Sequence, residues 1–501
     1  MKRQISNVHL IRTFIPVGTG GPIPPLEMLY VASQLRRTFA DTLQLRLTDT
    51  GVGNLSVEDI RDEWGGFAPD LIILYALSWE AGLVHALAAV VKELHPDTAV
   101  VVFGQLATFS GQYLCEDPHI DFVVVGEPEL TVAELVGALR EEHKDLSSIN
   151  GLAYRVDGAV TMTAPRVYPD NIDAFEIIPE MWDAIDIRRY AQYENWNGAI
   201  KEDFYIPILT QRGCPFKCTF CRETYGKKFH ARSPEHVLAE IKFLHERYGA
   251  REFHIYDPVF NYDQDRAKRI CQLIIDAGLP ISLAFPHGVR ADIMTEELLT
   301  LMRRAGTYKL VYGIESASRR LQKAFRKNLN LEQVREIIRV TADKGIITGG
   351  YFMLGHLSET AGEIEETIRF AVTSDLDVAS FFKATDYDDV NKIYASKFKD
   401  NLDDTDIFAG IRDIAYYAVN RSQAAVDAAE LNRLVLSAQR RFYFHPRRIW
   451  RGFGRYPSKR KYIKNLMTAA GLILQGYIVQ SLTADTTAKK PAAGAVAHSH
   501  A

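Results

Sequence analysis

Three of the chain's five cysteines, Cys214, Cys218 and Cys221, stand four and three residues apart. The apolar run 204–209 ahead of them reads as a strand, and Gly213 and Pro215 break regular structure after it. The thiols therefore sit on a loop at the strand's C-terminal end, where a chain can wrap three sulfurs around one small object. Structural zinc closes with four ligands, and an electron-carrying iron–sulfur cluster ordinarily takes four cysteines. Three thiolates on a [4Fe–4S] cluster leave one iron open to bind something else. Two other readings stay open on the residues alone: packed thiols, and a zinc site completed by His230. The concentration of thiols within one short stretch speaks against the first. The lack of a second CxxC or HxxxH pair speaks against the second.

The elements that must carry this loop can be read on both sides of it. From 204 to about 399 strand and helix patterns alternate, with strands expected at 253–256, 282–285, 309–312 and 349–354. Ser233 before Pro234, and Asn330 before Leu331, read as helix starts. The repeat predicts a partial or complete β/α barrel with functional residues on the loops after its strands. The first ~150 residues alternate in the same way. Strands are expected at 8–14, 44–48, 71–75, 99–103 and 122–125, and helices at 26–37, 57–64, 81–94 and 131–140. Continuous apolar strands such as Leu71-Ile-Ile-Leu-Tyr75 fit a parallel sheet covered on both faces. Ligands bind such sheets at the strands' carboxyl ends, where loops are expected at 16–25, 76–80 and 104–110. The loop from Val17 to Pro25 is not a GxGxxG entering a helix at once, so a dinucleotide site is weakly supported.

The fold expected is thus α/β: a Rossmann-like domain over 1–148, a connector over 149–203, a barrel over 204–400, a helical basic segment over 401–484 and a disordered tail over 485–501. The connector contains a hairpin signal around Asp157-Gly158. It also carries Trp182, Tyr190, Tyr193 and Trp196, which read as interdomain packing. Between Leu431 and Ala484 there are eleven Arg and Lys and no Asp or Glu. Cations interleaved with aromatics there resemble an interfacial membrane element, and a helix packed on the barrel is the competing reading. A composition of 47% apolar and 24% charged residues is that of a soluble globular protein. A net charge of −4 gives no case for nucleic-acid binding. Few cysteines, in odd number, and no apolar leader at Met1 point to a reducing cytoplasm. Cys115 and Cys271 stand alone, and Cys271 reads as a core thiol.

Cys214-x-x-x-Cys218-x-Phe220-Cys221 resembles the signature of the radical S-adenosylmethionine (SAM) superfamily. In that family SAM chelates the open iron and is cleaved reductively to a 5′-deoxyadenosyl radical. Later segments are similar to the cobalamin-linked subgroup in the same order. Asp257 to Phe260 resembles the segment near the SAM amino group, and Gly288-Val-Arg290-Ala-Asp292 the third strand end. Gly313-Ile-Glu315-Ser316 is similar to the motif bordering the SAM nucleoside, and Lys327 also matches. The first 140 residues resemble the cobalamin-binding domain found upstream of many such enzymes, through Leu26-Glu-Met-Leu, the loop at Ser78, and Gly126-Glu-Pro-Glu129. Gly104-Gln105-Leu106-Ala107 departs from the family's Gly-Gly-x-His. The DxHxxG motif is absent, as is usual in this subgroup.

The resemblance implies a [4Fe–4S] cluster on the three cysteines, with SAM near Phe220, Asp257, Arg290, Gly313 and Glu315. It implies cobalamin near Ser78 and Gly104, and an external one-electron reductant of flavodoxin or ferredoxin type. Methylation of an unactivated carbon of a small-molecule or lipid-like substrate is the activity expected, with cyclisation or ring rearrangement as the alternative. An RNA-modifying methylthiotransferase is disfavoured, because its second cysteine trio and terminal β-domain are missing. A non-catalytic sensor is the third class. The family's Gly-Leu-Pro is replaced by Gly355-His356-Leu357, and its Pro-x-Pro-Gly-Thr by the segment 384–391. His356 reads as structural.

Overall fold

The computed structural model describes residues 5–16, 20–141, 145–193, 200–356, 358–384, 391, 424–464, 466, 467, 470, 471 and 474. Parallel strands β1 (Asn7–Arg12), β2 (Gln44–Asp49), β3 (Leu71–Tyr75), β4 (Ala99–Phe103) and β5 (Phe122–Val124) open the chain. Helices α1 (Leu26–Phe39), α2 (Val57–Gly66), α3 (Ala81–Leu94) and α4 (Gln105–Leu114) connect them, and α5 (Glu129–Arg140) follows. Every residue of β3 and β4 is buried, which is why those strands are apolar throughout rather than alternating. The sheet order is β2-β1-β3-β4-β5-β6-β7. Its last two members, β6 (Leu152–Val156) and β7 (Ala159–Met162), form the hairpin expected within the connector. They pair antiparallel onto β5 and extend the first sheet. The loop expected at 104–110 is instead the first part of α4, which kinks at Ser110.

The remaining connector is packed onto the first domain. A short helix α6 (Pro179–Asp183) buries Trp182 completely. The Tyr190 hydroxyl donates to Asp49 at 3.0 Å, and that of Tyr193 accepts from the Gly53 N–H at 2.7 Å. Trp196 lies outside the described residues.

The second sheet is wholly parallel, in the order β8-β11-β12-β13-β14-β15. Its strands are β8 (Ile206–Ile208), β11 (Glu252–Ile255), β12 (Ser282–Val289), β13 (Thr307–Glu315), β14 (Ile347–Leu354) and β15 (Val378–Lys383). Between β8 and β11, β9 (Gln211–Arg212) and β10 (His230–Ala231) pair as a short antiparallel ribbon. The sheet is covered by α7 (Pro234–Tyr248), α8 (Gln264–Ala277), α9 (Glu296–Arg304), α10 (Arg319–Ala324), α11 (Leu331–Asp343) and α12 (Ala361–Thr373). Its open strand order is a partial barrel. Ser233 and Asn330 cap α7 and α11 as their sequences require.

Helices α13 (Ala428–Tyr443) and α14 (Pro446–Arg455) close the described fold. Arg448 donates to the carbonyls of Leu376, Phe442, Val372 and Ser374. Arg451 and Arg455 bind Asp377 at 2.8 and 3.1 Å. Tyr456 and Tyr462 pack with Ala284, Tyr308 and Ile347 near the strands' starting ends, opposite the cysteine loop. Of the segment expected as helical over 401–484, the portion before 424 and most residues beyond 467 lie outside the described residues, as does the tail 485–501. No described helix is long and apolar enough to cross a membrane.

Candidate cluster and cofactor site

The cysteine loop leaves the barrel after β8 and returns through the β9–β10 ribbon, so its two arms are held side by side. Gly213 has φ +69°, and a Cβ there would lie 1.8 Å from the Lys228 carbonyl. Only glycine allows so close an approach. One residue on, the Cys214 N–H donates to Gly226 O at 3.1 Å. Beneath the loop, Asp257 accepts from the N–H groups of Thr210 and Gln211 at 2.6 and 3.2 Å and from the Thr210 hydroxyl. Burial raises the Asp257 carboxyl to about 6, against the pull of Arg266 and those bonds. Asp257, expected near the SAM amino group, thus lies under the root of the loop and holds its Thr210–Gln211 backbone.

The three thiols are half-buried and free of disulfides. Burial raises the Cys214 thiol and pushes that of Cys221 up to about 12. Iron bound there would supply the positive centre that stabilises the thiolates. Among the described residues no three His, Cys, Asp or Glu side chains converge to hold a single metal ion. His230, the alternative fourth zinc ligand, has Nε2 2.7 Å from Glu127 and its ring against Tyr168, so it is engaged elsewhere.

Around the thiols the structure gathers Phe220, Arg290, Gly313 and Glu315. The Arg290 guanidinium lies 3.7 Å from the Phe216 ring centroid and 3.9 Å from Cys218 Sγ, and it is tied to Asp292. Thr219 N–H donates to Phe325 O at 3.0 Å, and Phe220 meets the Phe325 ring edge to face at 5.3 Å. His356 also packs against Phe325, at 4.8 Å. Lys327 pairs with Glu315 at 2.8 Å, with its Nζ 5.7 Å from the Phe220 ring. Glu315 sits at φ +69°, a costly conformation for a side-chain-bearing residue that clusters at functional sites. A Cβ on Gly313 would come within 2.9 Å of both Glu315 Oε1 and Lys327 Nζ, so the absence of a side chain there leaves that ion pair room.

Ser78 and Gly104 lie on the other domain. Gln105, in the departed motif, accepts from Ser78 N and Oγ at 3.4 and 3.2 Å, joining the loops after β3 and β4. Gly104 has φ +102°, and a Cβ there would lie 2.7 Å from Ala76 O. This lets α4 begin directly at the strand end. The strand-end segments 13–16, 20–25, 50–56, 76–80 and 125–128 and the start of α4 contain no histidine. A cobalamin on this edge would therefore take no imidazole from them, in keeping with the missing DxHxxG.

What the sequence did not reveal is how the two halves meet. Arg212, two residues before Cys214, donates to Glu127 at 2.8 Å and to Glu129 at 2.5 Å, with the rings of Tyr30 and Tyr225 4.7 and 5.2 Å away. Tyr168 donates to Glu129 at 3.2 Å. Burial opposes these charges, yet Glu129 and Glu127 raise the Arg212 pKa and His230 and Arg212 hold Glu127 below its usual range. Tyr225, on the cysteine loop, donates to Glu27 of α1 at 2.9 Å, and Arg222 lies 5.8 Å from the Phe109 ring of α4. Of the segment 385–391, Asn391 alone is described, and it binds Ser110 and Phe109 of α4. The signal available in sequence was Gly126-Glu-Pro-Glu129, which carries no indication of its partner.

Two family models match the chain: the Radical SAM superfamily over residues 208–371 and the B12 binding domain over 15–136. An uncharacterized methyltransferase of Pyrococcus horikoshii is 32% identical over 374 residues, 74% of this chain and 77% of its own. The anaerobic magnesium-protoporphyrin IX monomethyl ester cyclase of Rubrivivax gelatinosus is 26% identical, over 90% of this chain and 79% of its own. Among solved structures, the radical SAM methyltransferase TsrM of Kitasatospora setae, with cobalamin and a [4Fe–4S] cluster bound, superposes with a TM-score of 0.61. It covers 76% of this chain and 72% of its own at 19% identity, a likeness of fold.

Proposed function

Because the chain belongs to the radical SAM superfamily and carries the B12-binding domain of its cobalamin-dependent members, we infer that it methylates an unactivated carbon of a small-molecule or lipid-like substrate. Its cofactors are a [4Fe–4S] cluster, SAM and cobalamin. When bound, they supply a SAM-derived radical able to take hydrogen from carbon and a cobalt carrier for the methyl group. The chain's residues position them. Cys214, Cys218 and Cys221 would hold the cluster, with the Arg290 guanidinium 3.9 Å from Cys218. The Glu315–Lys327 pair and the open Gly313 border the SAM site next to Phe220. Ser78 and Gly104 shape the cobalamin edge.

The observation that carries this reading is the buried seam. Arg212 and Tyr225 fasten the cysteine loop to Glu127, Glu129 and Glu27 of the cobalamin domain. Radical abstraction alone needs no second cofactor domain, and a cobalamin domain fastened to the cluster loop would supply the carrier that methyl transfer uses. The test uses methyl-deuterated SAM with the reconstituted enzyme and candidate substrates. Label in the product, with 5′-deoxyadenosine and S-adenosylhomocysteine in comparable amounts, is expected. Substrate-dependent deoxyadenosine without S-adenosylhomocysteine moves the assignment to cyclisation. That second reading has its own support in the alignment with the cyclase over nine-tenths of this chain.

The reductant is an external one-electron donor, and the compartment is the reducing cytoplasm. Contact with anionic membrane through the C-terminal segment belongs to the same reading. Arg448, Arg451 and Arg455 turn inward, but Trp450 is 76% exposed, and Phe453, Ile463 and Met467 are exposed beside Arg447, Arg460 and Lys464. Flotation with phosphatidylserine vesicles should capture the protein at low salt and release it at high salt. Absence of capture at low salt leaves a helix that only packs under the barrel.

A further inference from the structure

On the outer side of the barrel a cleft of about 640 Å³ runs between α10, α11 and α12. Its walls carry Arg319, Lys323, Arg335 and Arg369 against Glu332 and Glu366. Arg335 is engaged, 4.5 Å from the Phe370 ring and bonded to Thr373. Arg319, Lys323 and Arg369 are exposed and join no ion pair among the described residues. Exposed Arg326 and Lys217 continue the cationic edge to the cysteine loop. In a chain of net charge −4 this concentration is local, and neither methyl transfer nor cofactor binding uses it.

The edge is also joined to the cysteine loop by hydrogen bonds. Ala324 O accepts from Thr219 Oγ1 at 3.2 Å and Phe325 O from Thr219 N at 3.0 Å. Thr219 follows Cys218 directly. An electron entering at Lys323 to Arg326 therefore has one peptide–peptide hydrogen bond to cross before the cysteine backbone.

We propose that this cleft and its cationic rim are the docking surface for an acidic one-electron donor protein of flavodoxin type. The proposal rests on the radical SAM reading. The donor's reduced flavin loses one electron and the cluster gains it, and no bond forms or breaks in the protein. Opposite charge on the two faces raises the association rate, and salt lowers it. The seam beside Tyr225 and Arg222 is already occupied by the cobalamin domain, whereas this side of the loop faces solvent.

The test mixes the full-length, cluster-loaded protein anaerobically with reduced flavodoxin, or with dithionite, and follows bleaching of the cluster absorbance. The variant Arg319→Glu/Lys323→Glu/Arg369→Glu is compared with Lys242→Glu/Arg251→Glu/Arg304→Glu, which makes the same charge change at exposed positions near the strands' starting ends. The first should slow flavodoxin-driven bleaching about tenfold at low salt and flatten its salt dependence, with dithionite bleaching kept. The second should stay near wild type with both reductants. An unchanged flavodoxin rate in the first variant overturns the proposal. So does equal slowing by the distal variant, or an equal loss with dithionite. Bleaching is read without SAM, so cluster reduction without deoxyadenosine on adding SAM would count against the assigned reaction and leave the docking result standing.

Discussion

At Asp257 both carboxylate oxygens are spent on Thr210 and Gln211, so the side chain clamps the segment from which the cysteine loop springs. Its carboxyl, raised by burial to about 6, lies above its ordinary value, and the sign of the linkage follows. The stability it contributes is fully present below pH ~4 and is lost as pH rises through about 6. Asp257→Asn can still accept both N–H groups through its carbonyl oxygen, and the Thr210 hydroxyl can rotate to accept from the new amide. Relative to wild type the variant should gain about 2 kcal/mol between pH 4 and 7, read as the difference between two thermal unfolding profiles. Parallel profiles across that range would sink this account. Asp257 also shows what a motif conceals: Asp at a strand end was legible, but its hydrogen-bond partners were not.

The proposed cobalamin edge turns on the strand-to-helix junction at Gly104. Gly104→Ala adds a side chain at φ +102° and 2.7 Å from Ala76 O. The cost should be about 3 kcal/mol, measured as a lowered Tm, together with loss of cobalamin absorbance through gel filtration. Iron loading on the three cysteines, in the other domain, should persist. Full cobalamin retention would mean that the β4–α4 junction does not shape the cofactor edge. At this scale much was readable from sequence. β3, β4 and α3 begin and end where the apolar runs and breakers put them, because short buried strands and amphipathic helices carry their own local signals. α4 was missed because Gln105, Ser110 and Gly111 look like loop residues, and the helix does kink at Ser110. β15 was missed because six residues around Ser380 give too short a period to separate from loop. Its place is set by pairing with β14 and by Phe442 of α13 against Phe381.

The molecule as a whole is joined by charges that no local pattern could pair, since Arg212 lies more than eighty residues from Glu127 and Glu129. A buried ion pair is weak evidence of net stability, but breaking one from a single side strands the other charge. Arg212→Met removes the cation and leaves two carboxylates buried at the seam, with His230 facing only one of them. The cost should be about 3–5 kcal/mol, and the cysteine loop, released two residues from Cys214, should load less iron. Adding Glu127→Gln and Glu129→Gln to Arg212→Met removes the two stranded carboxylates as well as the cation. If the seam acts through charge balance, the triple variant should recover part of both losses, with non-additivity of 1 kcal/mol or more, on the order expected for contacting residues. A triple variant that is worse by the sum of its parts would instead make Arg212 a packing element held by Tyr30 and Tyr225. The cobalamin domain and the cluster loop would then be aligned by shape, and the family's Glu-Pro-Glu would need another role.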